Sequence, residues 1–141
     1  MIVYAARPIS SFGTDHDARQ LAVLARYFPD ADVLDPAAMF SSDEQWLAEW
    51  PDVLDRLDIL ALWADEEGMI GAGVLLEVAD AIGAGLPVVC LDLEGQLRHF
   101  GGFRRGWGLW VPRREVGRLL YGPAVRPAEL TCLGHMAKAG T

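Results

Sequence analysis

Residues 58–92 read DILALWADEEGMIGAGVLLEVADAIGAGLPVVCLD, and their pattern decides the fold. The apolar runs at 58–64 and 86–92 are continuous rather than alternating, which is typical of strands covered on both faces of a parallel sheet. Between them lie a glycine-containing loop and a helix predicted over about 71–84, with Gly85 at a natural C-cap position. A strand, a helix and a second strand at this length predict a βαβ unit.

The residues before this unit predict a similar alternation. Residues 2–6 form an apolar run that stops before Pro8, as expected of a buried strand. Thr14 is a suitable N-cap for a first helix, which Pro29 closes. Residues 31–36 then predict a short second strand.

A third helix and two later elements complete the pattern. Ser42 and Gln45 form a capping box for a helix that Pro51 bends. Beyond the fourth strand the pattern weakens, with a further strand predicted at 108–112 and a last helix at 114–120.

These elements predict a single α/β domain over residues 1–121. We expect a mostly parallel, doubly wound sheet of the Rossmann or flavodoxin type, flanked by helices. The chain has 141 residues and a hydrophobic content of 52%, which is enough for one buried core but leaves no room for a second domain. Residues 122–141 contain several prolines and glycines and predict a loosely ordered or partner-contacting tail.

The composition of the chain argues against several classes of function. A net charge of −8 argues against binding to nucleic acid or to an anionic membrane surface, because both require a cationic patch. Cys90 and Cys132 lie far apart and are expected to be reduced, and His16, His99 and His135 lack the spacing of metal ligands. The first residues lack the basic start of a signal peptide, and no apolar run approaches membrane-spanning length. A cytoplasmic protein without a metal site is therefore expected.

Ligands of an open parallel sheet collect beyond the carboxyl ends of the strands. Segments 4–13, 64–73 and 92–95 follow strands in this way, and the middle segment leads into the helix that carries Glu77. Glu77 falls at the edge of the apolar face of that helix, where a partly desolvated carboxylate can have altered reactivity. The same position also suits an ordinary core-boundary residue of an amphipathic helix.

Three segments, in their order and spacing, carry a family resemblance. Residues 4–10 (YAARPIS) end a strand in a proline–isoleucine loop, and residues 58–62 (DILAL) open an apolar strand with an aspartate. Residues 71–88 contain a glycine turn, a glutamate, a helix of small residues and the sequence GLPV. Together they resemble the nucleoside 2-deoxyribosyltransferase family, including its nucleotide N-hydrolase relatives, over about residues 1–92.

The resemblance implies cleavage or transfer of the N-glycosidic bond of a nucleoside or nucleoside 5′-monophosphate. Glu77 would be the nucleophile that attacks the anomeric carbon, Tyr4 would orient it, and Asp58 would contact the sugar. A small-molecule substrate, a homodimer or higher oligomer, and no metal or organic cofactor are implied as well. The expected substrate-binding residues are Arg7, Pro8, Ile9, Ser10, Ser11, Gly71 and Gly73.

The chain also departs from the family pattern. Gly71 stands six residues before the glutamate, where family members have an aspartate or a serine. Trp50 occupies the position of another aspartate, eight residues before Asp58. The candidate acidic residues to replace these groups are Asp52, Asp55, Asp65, Glu66 and Glu67.

The alternative is a catalytically inactive nucleotide-binding or protein-interaction module on the same fold, which Gly71 and Trp50 favour. In such a module Tyr4 is a core aromatic residue and Asp58 a strand-edge residue. Geometry separates the two hypotheses, since an enzyme needs the Glu77 carboxylate in an open pocket with a second acid or hydroxyl in reach.

Overall fold

The computed structural model describes residues 1–102 and 121–130. Within these residues the strands are β1 (Ile2–Ala6), β2 (Asp32–Leu34), β3 (Ile59–Leu62), β4 (Val88–Leu91), β5 (Leu97–Phe100) and β6 (Tyr121–Ala124). The α-helices are α1 (Asp15–Tyr27), α2 (Pro36–Met39), α3 (Asp43–Arg56) and α4 (Ala72–Gly83), and a short 3₁₀ helix, Ile9–Ser11, follows β1. The strand predicted at 108–112 and the helix predicted at 114–120 lie outside the described residues.

The strands form one mixed sheet in the order β2-β1-β3-β4-β5-β6. Strands β2, β1, β3 and β4 are parallel, β5 is antiparallel to β4, and β6 is antiparallel to β5. The predicted α/β class is therefore confirmed, but the sheet also contains antiparallel pairs. The connection between β4 and β5 explains the change, because residues 92–96 are too few for a parallel crossover, which needs roughly a dozen.

The predicted domain boundary at residue 121 falls at the start of β6. Residues Tyr121–Ala124 pair with β5, so residues 122–124 are part of the sheet rather than of a tail. The predicted tail beyond residue 130 lies outside the described residues.

The sheet has an apolar core on each face. Tyr4 and Ala6 point toward α3 and α4, whereas Val3 and Ala5 point toward α1. Successive residues of a strand alternate between faces, so a strand covered on both sides needs a continuous apolar run. This arrangement places the side chain of Tyr4 on the same face of the sheet as α4.

Side-chain and glycine caps define the ends of the helices. The hydroxyls of Thr14 and Ser42 accept hydrogen bonds from backbone amides of the first turns of α1 and α3. Gly85 has a φ of 77° after the end of α4, and its N–H donates to the carbonyl of Ile82 as in a Schellman motif. Pro51 lies inside α3 and does not end it.

None of the helices in residues 1–102 and 121–130 combines the length and the apolar character needed to cross a membrane.

Candidate functional site

A pocket of about 690 Å³ lies between the loop after β1 and the first turns of α3 and α4. Its volume is within the range of small-molecule sites. The loop after β1 contributes residues 7–10 and Phe12, the α2 region contributes Pro36 and Phe40, α3 and the residues before it contribute 41–43 and Trp46, and α4 contributes Glu77 with residues 71–74.

Glu77 lines this pocket from the second turn of α4, and only 5% of the residue is exposed. Val74, Val78 and Ala81 are buried on the same side of the helix, so helical periodicity turns Glu77 inward with them. Its Oε2 accepts hydrogen bonds from the Tyr4 hydroxyl and, at 3.1 Å, from the indole Nε1 of Trp46. The structure thus brings together Tyr4 and Glu77, which lie 73 positions apart in the chain.

Burial raises the pKa of the Glu77 carboxyl from 4.5 to about 7. The hydrogen bonds from Tyr4 and Trp46 and the charge of Arg7 oppose this rise, and the charge of Asp80 adds to it. Burial, followed by the charge of Glu77, also raises the pKa of the Tyr4 hydroxyl above its ordinary value. Tyr4 therefore remains a protonated donor while Glu77 changes its charge near neutral pH.

Arg7 lines the pocket but is held by its own partners, and only 4% of it is exposed. Its Nε and Nη2 donate to the Asp17 carboxylate at 2.9 and 3.0 Å, and its Nη1 donates to Asp35 at 2.6 Å. The guanidinium also lies 4.6 Å from the ring centre of Phe12 and 5.5 Å from that of Trp63. Burial acts to lower the pKa of Arg7, but the hydrogen bonds and the charges of Asp17 and Asp35 together outweigh it and raise this pKa.

The two carboxylates balance the charge of Arg7, so its guanidinium is not free to bind a substrate phosphate. The geometry instead gives Arg7 a scaffold role, in which it ties the loop after β1 to α1 and to the start of α2.

The serines after β1 have separate surroundings. Ser10 lines the pocket and donates to Asp65 at 2.8 Å, whereas Ser11 is buried and donates to Asp17 at 3.1 Å. Asp65 also accepts hydrogen bonds from the backbone amides of Glu67 and Met69. Its carboxylate is therefore occupied in holding the loop after β3.

Asp58 lies at the amino ends of the parallel strands, whereas the pocket lies at their carboxyl ends. Its Oδ2 accepts a hydrogen bond from the backbone N–H of Ile2 at 2.7 Å, and its own N–H donates to the carbonyl of Ile2. In a parallel sheet this residue marks the amino ends of β1 and β3, whereas ligands collect at the carboxyl ends. The position explains Asp58 as a strand-edge residue and does not support a sugar contact.

The other acidic candidates also lie away from the pocket lining. Asp52, Asp55, Glu66 and Glu67 are exposed to solvent. Gly71 and Gly73, in contrast, line the pocket at the start of α4, and Pro8 and Ile9 line it from the loop after β1. Trp50 is buried and donates to Asp80 at 2.9 Å.

Trp46 and Asp43 are among the pocket residues that the sequence did not predict. Trp46 had the helical spacing of a packing residue, and Asp43 had only the signal of its place just after the N-cap of α3. Both line the pocket because α3 begins beside α4, a contact between distant segments. In the described part of the chain, His, Cys, Asp and Glu side chains form no group of three or more suited to a metal ion.

Comparison with known proteins found no matching family model, no matching curated protein and no matching solved structure. The residues of the pocket are therefore the basis for a functional assignment.

Proposed function

We propose that this protein cleaves or transfers the N-glycosidic bond of a nucleoside or nucleotide, with Glu77 as the nucleophile. The observation that supports this proposal most directly is the environment of Glu77. Its carboxylate is buried, lines an open pocket, receives hydrogen bonds from Tyr4 and Trp46, and has a pKa raised to about 7. A carboxylate held in this way is suited to attack at an electrophilic carbon.

The proposed reaction has two steps that conserve atoms and charge. An oxygen of Glu77 bonds to the anomeric carbon while the bond from that carbon to the base nitrogen breaks, and its electron pair stays on the base. An acid protonates the departing base. Water or an acceptor base then attacks the anomeric carbon, the bond to Glu77 breaks, and the carboxylate is restored.

Asp43 is the proposed acid for the departing base. It is the other carboxylate on the described wall of the pocket, and it lies in the first turn of α3. Asp43 would thus replace the aspartate or serine that family members have at the position of Gly71. As in retaining glycosyl transfer, the same carboxylate would accept a proton from water in the second step.

The pocket favours an uncharged nucleoside over its 5′-monophosphate. Arg7 is the cationic side chain on the described wall, and Asp17 and Asp35 already balance its charge. Phe12, Phe40 and Trp46 line the same space, and aromatic side chains of this kind can stack on a planar base. The parallel strands β2, β1, β3 and β4, with helices on both faces, suit the doubly wound fold expected from the predicted elements.

The test is product analysis with ribonucleosides, deoxyribonucleosides and their 5′-monophosphates, measuring free base by chromatography. Wild-type protein should release base from at least one nucleoside, and Glu77→Gln should lower kcat by at least about a thousandfold. Asp80→Asn is the matched control because Asp80 is another carboxylate on α4 that accepts from a tryptophan and does not line the pocket. This control should retain most of the activity.

Two observations favour the alternative of a binding module. Oε2 of Glu77 is already occupied by Tyr4 and Trp46, and position 71 has no side chain to assist a leaving base. A nucleoside that binds wild-type protein in calorimetry without base release would support the module and contradict the enzymatic proposal. Loss of activity in Glu77→Gln, with binding retained, would support the enzyme.

A further inference from the structure

Two tryptophans of α3 donate hydrogen bonds to two carboxylates of α4. Trp46 Nε1 donates to Oε2 of Glu77 at 3.1 Å, and Trp50 Nε1 donates to Oδ2 of Asp80 at 2.9 Å. The tryptophans are four residues apart and the carboxylates three, so each pair lies on one face of its helix. Only the first of these two hydrogen bonds is at the pocket.

Trp46 is held in place by packing as well as by its hydrogen bond. Its ring atom Cη2 lies 3.8 Å from the point that a Cβ at Gly73 would occupy, so the indole rests against the first turn of α4. A donor fixed by α3 and α4 together needs little reorganisation when a ligand enters the pocket.

We propose that Trp46 is a positioning residue of this site, whose indole N–H holds Oε2 of Glu77 and leaves Oε1 for the ligand. Tyr4 donates to the same oxygen from β1, so both donors converge on Oε2. Among the described residues Oε1 has no hydrogen-bond partner. The catalytic meaning of this inference rests on the proposed function, since Oε1 would be the oxygen that bonds to the anomeric carbon.

The groups facing Glu77 predict how its ionisation responds to a loss of the indole donor. Tyr4 from β1 and Trp46 from α3 donate to its carboxylate, Arg7 after β1 favours its charged form, and Asp80 on α4 opposes that form. Asp43 is the remaining charged group on the described pocket wall. Removing the Trp46 donor removes a hydrogen bond that stabilises the ionised form of Glu77, so the pKa of Glu77 should rise.

The first measurement is a carbon-13 NMR titration of the Glu77 carboxyl, assigned by its disappearance in Glu77→Gln. Trp46→Phe should raise the titration midpoint by about one pH unit, the scale of a hydrogen bond to a charged group. Trp46→Met is a second variant without the donor and should shift the midpoint in the same direction. Trp50→Phe, one turn further along α3, keeps an aromatic ring beside Tyr4 and loses the bond to Asp80 instead, so it should shift the midpoint much less than either Trp46 variant.

The second measurement is the pH dependence of kcat/KM for base release. Trp46→Phe should lose roughly tenfold more activity at pH 6 than at pH 9, because more of its Glu77 is protonated at the lower pH. A residue that only stabilised the fold would lower activity equally at both pH values. Circular dichroism of each variant checks that the helices remain.

The two measurements separate failure of the inference from failure of the proposed function. An unchanged Glu77 midpoint in both Trp46 variants would overturn the positioning role whatever the activity. A raised midpoint in a protein whose wild type releases no base would support the role of Trp46 toward Glu77 and reject the N-glycosidase proposal.

Discussion

Burial raises the pKa of the Glu77 carboxyl to about 7, so its charge changes within the neutral range. A nucleophilic carboxylate must be ionised, so we expect kcat/KM for base release to fall about tenfold per pH unit below pH 7. The measurement is a pH–rate profile between pH 5 and pH 9, with circular dichroism at each pH to confirm folding. A profile that stays flat down to pH 5 would contradict the role of Glu77.

Asp17 is the residue on which the loop after β1 depends. Its buried carboxylate accepts hydrogen bonds from Arg7, Ser11 and Trp63. Asp17→Asn leaves the buried guanidinium with one ionised partner, so we expect the free energy of unfolding to fall by about 3 kcal/mol. Urea unfolding measures this loss. Asp15→Asn, at an exposed position in the first turn of α1, is the control and should cost less than about 1 kcal/mol.

The contact between Tyr4 and Glu77 is one that the family resemblance implies. The resemblance paired the two residues, and the structure places the Tyr4 hydroxyl in hydrogen-bonding contact with Oε2 of Glu77. Arg7 would need a free charge to bind a substrate phosphate, and Asp17 and Asp35 remove that condition. Neither partner is adjacent to Arg7 in the sequence, so its neutralisation could not be predicted from the loop alone.

Among the elements, α4 begins at the pocket with an N-cap that has no side chain. Gly71 has a φ of −104° and a ψ of 173°, and nothing lies within 4 Å of a Cβ at that position. A serine fits this backbone and is a preferred N-cap, so Gly71→Ser should keep or raise stability by a few tenths of a kcal/mol. Thermal unfolding tests that part of the prediction.

The same variant tests whether a hydroxyl at position 71 assists the departing base. If it does, Gly71→Ser should raise kcat for base release by about tenfold, since proton transfer from a well-placed group accelerates such steps. Gly71→Ala adds a Cβ without the hydroxyl and is the control. Equal kcat values in the two variants would show that the hydroxyl takes no part.

The elements themselves could largely be predicted, because their signals are local. Continuous apolar runs mark β3 and β4, Thr14 and Ser42 cap α1 and α3, and Gly85 follows the end of α4. The same signals did not predict β5 or its antiparallel direction. This direction follows from the turn at 92–96, where the Asp92 carboxylate accepts from the backbone amides of Glu94 and Gln96.

For the whole molecule, the raised pKa of Glu77 makes global stability depend on pH. The folded state holds this proton more tightly than the unfolded state, so the associated stability is present below pH 4.5 and is lost as the pH rises through about 7. A rise in pKa from 4.5 to about 7 corresponds to about 3 kcal/mol. The charged site therefore costs the protein stability under the conditions in which it would act.

Glu77→Gln should reveal this cost. The variant keeps an oxygen for Tyr4 and Trp46 but never ionises, so it should match wild type near pH 4 and exceed it by about 3 kcal/mol at pH 8.5. Urea unfolding at the two pH values measures the difference. Glu49→Gln, at an exposed position on α3, is the control and should show no such pH-dependent gap. Equal stability of Glu77→Gln and wild type at pH 8.5 would contradict the raised pKa.

A homodimer is a further expectation at the scale of the whole molecule. It comes from the family resemblance and stays a prediction. Sedimentation equilibrium tests it, because a dimer would sediment with the mass of two chains and a monomer with the mass of one.

The sequence by itself determined the α/β class and most elements of residues 1–102, because apolar runs, caps and turn residues act through neighbours along the chain. Only the tertiary structure decided the chemistry of the pocket. Whether Arg7 is free, whether Asp58 meets a ligand and how tightly Glu77 holds its proton all depend on desolvation and on partners from distant segments. Trp46 and Asp43 belong to the pocket because α3 packs beside α4, which brings together groups that are remote in the sequence.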